Sequence, residues 1–211
     1  MLFLPVTRAW SIEPVMAALN VSDIPRSVVL LIDSPGCEGW FAAFADSGWA
    51  VRFVCTHNPY PPEGRVQRRR RHLAMRRLSQ KMTANLDRVL YLEDDTLVPP
   101  DVWSRLSVGL DAGYVAASGV QLSRHEPRIP GIWRFNDGAG IYDPFEPVGL
   151  ETADAVGHFC LMTTGEAYAN APIKPNEYEP IDQCHTQQFA PIWVDPEVRC
   201  GHLKENGEII V

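Results

Sequence analysis

Apolar residues in this chain fall into short uninterrupted runs, separated by longer stretches in which apolar and polar positions recur at helical spacing. Leu2–Val6, Val28–Ile32, Val51–Cys55, Val89–Leu92 and Tyr114–Ser118 are too short for buried helices and predict strands. Between them, Glu13–Leu19 predicts a helix with Ser11 as N-cap and Pro14 tolerated in the first turn. Trp40–Asp46 predicts a second helix, stopping near Gly48. A Pro-rich loop then leads to a helix over Arg65–Met82, and Pro100–Leu110 predicts a fourth that stops near Gly113. Such alternation predicts a mostly parallel sheet with helices on both faces. Ligands of these sheets gather beyond the carboxyl ends of the strands. That rim holds Thr7, Arg8, Asp33, His57, Asn58 and the acids Glu93, Asp94 and Asp95.

The second half reads differently. Gln121–Leu150 is rich in Gly, Pro and aromatics and predicts loop or short antiparallel structure. Asp154–Thr164 predicts one buried strand, and Glu166–Asn170 a short helix. The stretch after Pro180 reads as helical. Ile192–His202 predicts a strand, a turn at Asp195-Pro196 and a last short strand. No internal repeat is present.

The 211 residues suit one domain with a real core, at 45% hydrophobic and 21% charged. No run is long enough to cross a bilayer. The opening MLFLPVTRAW lacks a basic leader and is interrupted by Pro5, so a signal peptide is not expected. Five scattered cysteines without a CxxC pair predict free thiols in a reducing cytoplasm. A net charge of −7 argues against a surface that grips nucleic acid everywhere. Yet about half the basic residues lie between Arg65 and Arg88. On a helix there, Met75, Leu78 and Met82 form an apolar stripe, and Arg71 falls on its N-terminal end.

The chemistry concentrates in RVLYLEDDTLVPPD, residues 88–101. Three like charges at a strand end repel one another, and desolvation strengthens the repulsion. Hard carboxylate oxygens there suit Mg²⁺ or Mn²⁺, which bind one or two carboxylates together with substrate phosphates. The plain alternative is a solvated acidic turn beside a helix N-terminus.

VLYLEDDTLVPPD resembles the DXD-type segment of GT-A glycosyltransferases, particularly the family 2 type. VVLLIDSPG is similar to the second strand of that fold, DAVGHFCLMTTGEAY to the strand closing the donor pocket, and IDQCHTQQFAPIWVDPEVRCGHL to the C-terminal segment. The resemblance implies a single GT-A-like, Rossmann-like catalytic domain over 1–211, with a donor half (1–118) and an acceptor half (119–211). It implies a metal-dependent, inverting transfer of sugar from a UDP- or GDP-sugar to a hydroxyl acceptor. Asp95 and His202 would bind Mn²⁺ or Mg²⁺, and Glu93 and Asp94 would face the ribose or position that ligand. Asp33 would bond the base over a floor of Pro5 to Arg8. Arg71 with Arg68 would meet the diphosphate.

Asp182 or Glu179 would be the base, although proline stands where the family carries one acid, and GHF at 157–159 replaces a small-residue pair. Trp133, Phe135, Tyr142 and Phe145 would stack on the acceptor or pack among themselves. Small phage-encoded enzymes of this kind glycosylate modified DNA bases, so the arginine run extends the acceptor to hydroxymethylated DNA; its plain alternative is a solvated surface. Two other readings stand beside this one. A nucleotidyltransferase would show a Gly-rich basic loop after the first strand, which PVTRAWSIEP lacks. A nucleic-acid-binding module would use the arginines and not the acids.

Overall fold

The computed structural model describes residues 1–34, 36–56, 65–172 and 185–211, the side chains of Arg65, Arg68 and Arg69 excepted. The first half runs β1 (Leu2–Val6), α1 (Ile12–Val21), β2 (Ser27–Ile32), α2 (Gly39–Asp46), β3 (Ala50–Cys55), α3 (Arg65–Thr83), β4 (Val89–Leu92), β5 (Thr96–Leu97), α4 (Val102–Asp111) and β6 (Ala116–Val120). The second half adds β7 (Ile132–Asn136), β8 (Ile141–Pro144), β9 (Glu151–Ala153), β10 (Ala155–Val156), β11 (Cys160–Thr163) and α5 (Gly165–Asn170). A 3₁₀ turn at Gln187–Phe189 precedes β12 (Ile192–Arg199), β13 (Gly201–Leu203) and β14 (Ile209–Ile210).

Eight strands form the main sheet in the order β3-β2-β1-β4-β11-β6-β12-β9. The β1–β2, β2–β3, β1–β4 and β6–β12 pairs are parallel, while β11 runs antiparallel to both β4 and β6. Side chains alternate across the sheet, as the period of two requires. Leu2, Leu4 and Val6 of β1 join Val28, Leu30 and Ile32 of β2 on one face, where Val15, Trp40, Phe44 and Leu106 cover them. Phe3, Val29, Leu31 and Tyr91 point the other way, under α5 and the predicted stripe of α3, Met75, Leu78 and Met82. This is the mostly parallel, helix-flanked α/β sheet that the alternating pattern predicts, with two small antiparallel sheets, β10-β7-β8 and β14-β13-β5, beside it.

Chain order reverses between β1 and β4, and the pair comes apart there. Met1 gives its carbonyl to Leu90 N at 3.0 Å, so residues 1, 3 and 5 turn their backbone polar groups toward β4. Pro5 has no N–H to offer, and the register with β4 ends at Phe3↔Tyr91. A crevice opens beyond that point.

Several predicted elements are corrected. The strand expected over Asp154–Thr164 is two strands in different sheets, β10 and β11. Gly157 breaks it: its N–H bonds Gly131 O at 2.8 Å, and a Cβ there would come within 2.7 Å of the Phe159 ring. The turn expected at Asp195-Pro196 is a register shift inside the continuous strand β12, where Arg105 grips Asp195 through two bonds of 2.8 and 2.9 Å. Ser11 precedes α1 without capping it; its hydroxyl donates to Arg8 O at 3.2 Å instead. The true cap of α4 is remote: Asp23 accepts from Trp103 N and Ser104 N, both at 2.8 Å. The helical reading after Pro180 falls largely on residues outside those described. Among the described residues, no helix is long and apolar enough to cross a membrane.

Candidate active site

The acid triplet ends β4 in a turn closed by Thr96 N bonding Glu93 O at 3.1 Å. This turn sends the three side chains in three directions. Asp94 turns toward β1, where its Oδ2 accepts from Thr7 N at 2.5 Å, Arg8 N at 2.7 Å and the Thr7 hydroxyl at 3.2 Å. Its Oδ1 takes the Arg8 guanidinium. The side chain thus replaces the backbone partner that β4 no longer supplies to β1. Trp40 Nε1 fixes the same turn from the other side, donating to Arg8 O at 2.9 Å.

Asp95 is fully buried. Its Oδ2 lies 3.0 Å from Arg124 NH2, 3.4 Å from His202 Nε2 and 3.5 Å from Arg8 NH2. Burial raises the Asp94 carboxyl above its ordinary pKa, against the pull of Arg8 and the two N–H donors. Burial also works against the Asp95 charge, but His202, Arg8 and Arg124 outweigh it and hold that carboxyl below the ordinary value. For Arg8, burial is outweighed by Asp94, Asp95 and Glu93, which push its pKa up.

His202 shows which form of the ring faces Asp95. Its Nδ1 lies 3.0 Å from Leu122 O, and a carbonyl only accepts, so Nδ1 carries a proton. Nε2 is then the ring nitrogen turned to the Asp95 carboxylate. Among the described residues, neither Asp95 oxygen nor His202 Nε2 has a hydrogen-bond partner. A divalent cation held by both would engage these atoms, in place of the guanidinia that reach Asp95 Oδ2 at 3.0 and 3.5 Å. Their separation suits neighbouring ligands of one divalent ion, and an Nδ1–H held by a carbonyl is the usual outer support of a metal-binding imidazole. Among the described residues, no three His, Cys, Asp or Glu side chains converge on one point. The pair therefore fits an ion that takes its remaining ligands from phosphate and water.

Two cavities meet at Glu93. One, of about 90 Å³, lies in the crevice at the end of β1 and is walled by Pro5, Thr7, Arg8, Arg76, Glu93 and Asp94. The other, of about 270 Å³, is walled by Glu93, Gln121, Trp133, Gly157, His158 and His202. Of the four predicted aromatics, Trp133 reaches this second cavity. Phe135 and Tyr142 pack on each other at 5.1 Å, and Phe145 lies under Arg134 at 4.0 Å. His158 is buried, with its Nε2 2.9 Å from His185 Nδ1.

The other predicted residues divide. Pro5, Thr7, Arg8, Glu93 and Asp94 share the first cavity, and Asp95 meets His202. Asp33 and Arg71 meet each other: Arg71 grips the Asp33 carboxylate, its carbonyl and Ser34 Oγ, while Thr56 donates to the same carboxylate. The bases Glu179 and Asp182, the Arg68 side chain, and His57 and Asn58 lie outside the described residues. Sequence reasoning missed Arg124, Gln121 and Arg76. Arg76 carries a weak signal, one helical turn beyond His72 on the face of α3 that closes the first cavity. Arg124 carries none.

No family model matches the chain, and no curated protein matches it. Solved structures resemble it in fold. A197 from STIV aligns with a TM-score of 0.55 at 11% identity, over 100% of this chain and 92% of that one. Galactosyltransferase LgtC, in complex with donor and acceptor sugar analogs, aligns with a TM-score of 0.51 at 15% identity, over 92% of this chain and 72% of LgtC. A putative glucose-1-phosphate thymidylyltransferase from Bacillus anthracis aligns with a TM-score of 0.52 at 12% identity, over 95% of this chain and 88% of that one. The fold is the Rossmann-like GT-A type, which these glycosyl- and nucleotidyltransferases share.

Proposed function

We propose that the whole chain acts as one metal-dependent glycosyltransferase, moving a sugar from a nucleoside-diphosphate sugar to a hydroxyl acceptor. The observation that carries this reading is the buried confrontation of Asp95 and His202 beside two adjoining cavities. Mn²⁺ or Mg²⁺ held there by Asp95 and His202 would supply the positive charge that a departing diphosphate needs. The chain's own residues do the rest. Arg8, fixed by Asp94, offers a guanidinium to phosphate oxygens at the mouth of the crevice. The second cavity admits an acceptor, with Trp133 as a flat apolar wall for a sugar or base. Glu93 stands where the cavities join, and an acid from the 173–184 segment, Asp182 or Glu179, takes the acceptor's proton, giving inversion by single displacement.

The absence of a Gly-rich loop after β1 favours this reading over nucleotidyl transfer. Backbone N–H groups that such a loop would aim at phosphates are here spent on Asp94. Exposed Arg70 and Arg77 on α3 support a polyanionic acceptor such as hydroxymethylated DNA.

Calorimetry with UDP and GDP, each with and without Mn²⁺, tests the proposal. The expected result is nucleotide binding that requires Mn²⁺ and weakens at least tenfold in Asp95→Ala. Binding of either nucleotide that ignores both Mn²⁺ and Asp95 would overturn it.

A further inference from the structure

Arg124 enters the site from the loop between β6 and β7, and its guanidinium stands 3.0 Å from Asp95 Oδ2. That same oxygen faces His202 Nε2 at 3.4 Å and Arg8 NH2 at 3.5 Å. Arg8 also holds Asp94. Two guanidinia therefore face the two inner carboxylates. Asp95 thus has cationic neighbours before any divalent ion arrives. Both arginines keep part of their side chains in solvent, 26% for Arg8 and 30% for Arg124, so each can turn to a ligand at the rim.

Building on the metal-dependent reading above, we infer that Arg124 is a placeholder cation. It neutralises Asp95 while the site is empty of ligand and passes to the donor's diphosphate when a divalent ion takes Asp95. The reason is Coulombic. A dication on Asp95 would sit roughly 4–5 Å from a guanidinium that still holds the same oxygen, and in a half-buried setting that repulsion is worth more than a factor of ten in affinity. A diphosphate removes the conflict, because its oxygens accept from Arg124 and neutralise the ion. Ion and nucleoside diphosphate thus bind together and poorly apart, and the coupling is reciprocal. Asp95 keeps a cation at every stage, so its buried charge is never left uncompensated.

The test is Mn²⁺ titration followed by the paramagnetic resonance of the free ion. It uses wild type, Arg124→Ala and Arg124→Lys, each alone and with UDP or GDP. Without nucleotide, Arg124→Ala is expected to bind Mn²⁺ about tenfold more tightly than wild type, because a competing cation is gone. With nucleotide, its gain in Mn²⁺ affinity shrinks by about tenfold, because a diphosphate contact is gone. Arg124→Lys keeps the charge and retains the weak ion binding of wild type. A loop merely damaged by the substitution would weaken both measurements, so opposite signs separate the two. Arg124→Ala binding Mn²⁺ alone no more tightly than wild type overturns the inference. Failure of wild type to take up Mn²⁺ even with nucleotide overturns the metal-dependent reading itself and this inference with it.

Discussion

Asp94 stitches the open end of β1 to β4, and removing its carboxylate has a calculable cost. In Asp94→Ala, Thr7 N and Arg8 N lose their only acceptor among the described residues, and the Arg8 guanidinium loses its strongest partner. An orphaned N–H costs about 1–3 kcal/mol when buried. Thr7 and Arg8 are half-buried, so the low end applies, about 1 kcal/mol for each. Loss of the charge-assisted contact adds about 1–2 kcal/mol. The total is about 3–4 kcal/mol. Asp94→Asn keeps one oxygen for both N–H groups and removes a charge that burial already penalises beyond the pull of its partners, so it should cost under about 1 kcal/mol. With a urea slope of about 2–3 kcal/mol/M, the alanine variant should unfold more than ~1 M earlier than wild type and the asparagine variant less than ~0.5 M earlier. Urea unfolding followed by circular dichroism reads both midpoints. The reasoning is refuted if alanine and asparagine shift the midpoint equally, since the backbone donors would then contribute nothing.

Gly165 opens α5 against the end of α3, and an added Cβ would overlap Thr83 O and stand 2.7 Å from Leu86 O. Gly165→Ala is therefore expected to cost about 2–4 kcal/mol and lower the Tm by about 4–16 °C in a thermal melt; an unchanged Tm refutes the close packing. The pH dependence follows from Asp95, whose carboxyl the histidine and arginines hold below the unfolded value of 3.8 despite burial. A lowered carboxylate pKa contributes stability that is fully present above the unfolded value and is lost as pH falls toward the folded one. Wild type should exceed Asp95→Asn in stability at pH 6, and the gap should close below about pH 4; a gap that widens on acidification reverses the sign and the argument.

Much of the sheet is legible in the chain because its inner strands are apolar on both faces. Val28–Ile32 and Val89–Leu92 need no partner to be recognised, and Gly48 and Gly113 stand at positive φ, as helix-ending glycines should. The meeting of Asp95 with His202 was anticipated through the resemblance of the acid triplet and the late histidine to the GT-A pattern. What stayed hidden depends on contacts across the fold. Asp23 caps a helix 80 residues away, and nothing near Asp101 advertises that the local acid is not the cap. Asp195-Pro196 has the composition of a turn, yet Arg105 holds it inside a strand. The bond between Arg71 and Asp33 was hidden because the two lie 38 residues apart in the chain. Arg124 sits in a loop without periodicity, where only the folded position of Asp95 gives it meaning.

Long-range closure at the rim also bears on the order in which the molecule folds. Thr7 and Asp94 are 87 residues apart and His202 and Leu122 are 80 apart, so each joint closes a large loop and pays its entropy late. Helices and the β2–β3 ladder can form from nearby segments, but the ring of acids, arginines and histidine comes together only when both ends of the polypeptide have arrived. Nucleotide affinity should therefore appear last in a refolding time course, as a reporter of complete assembly.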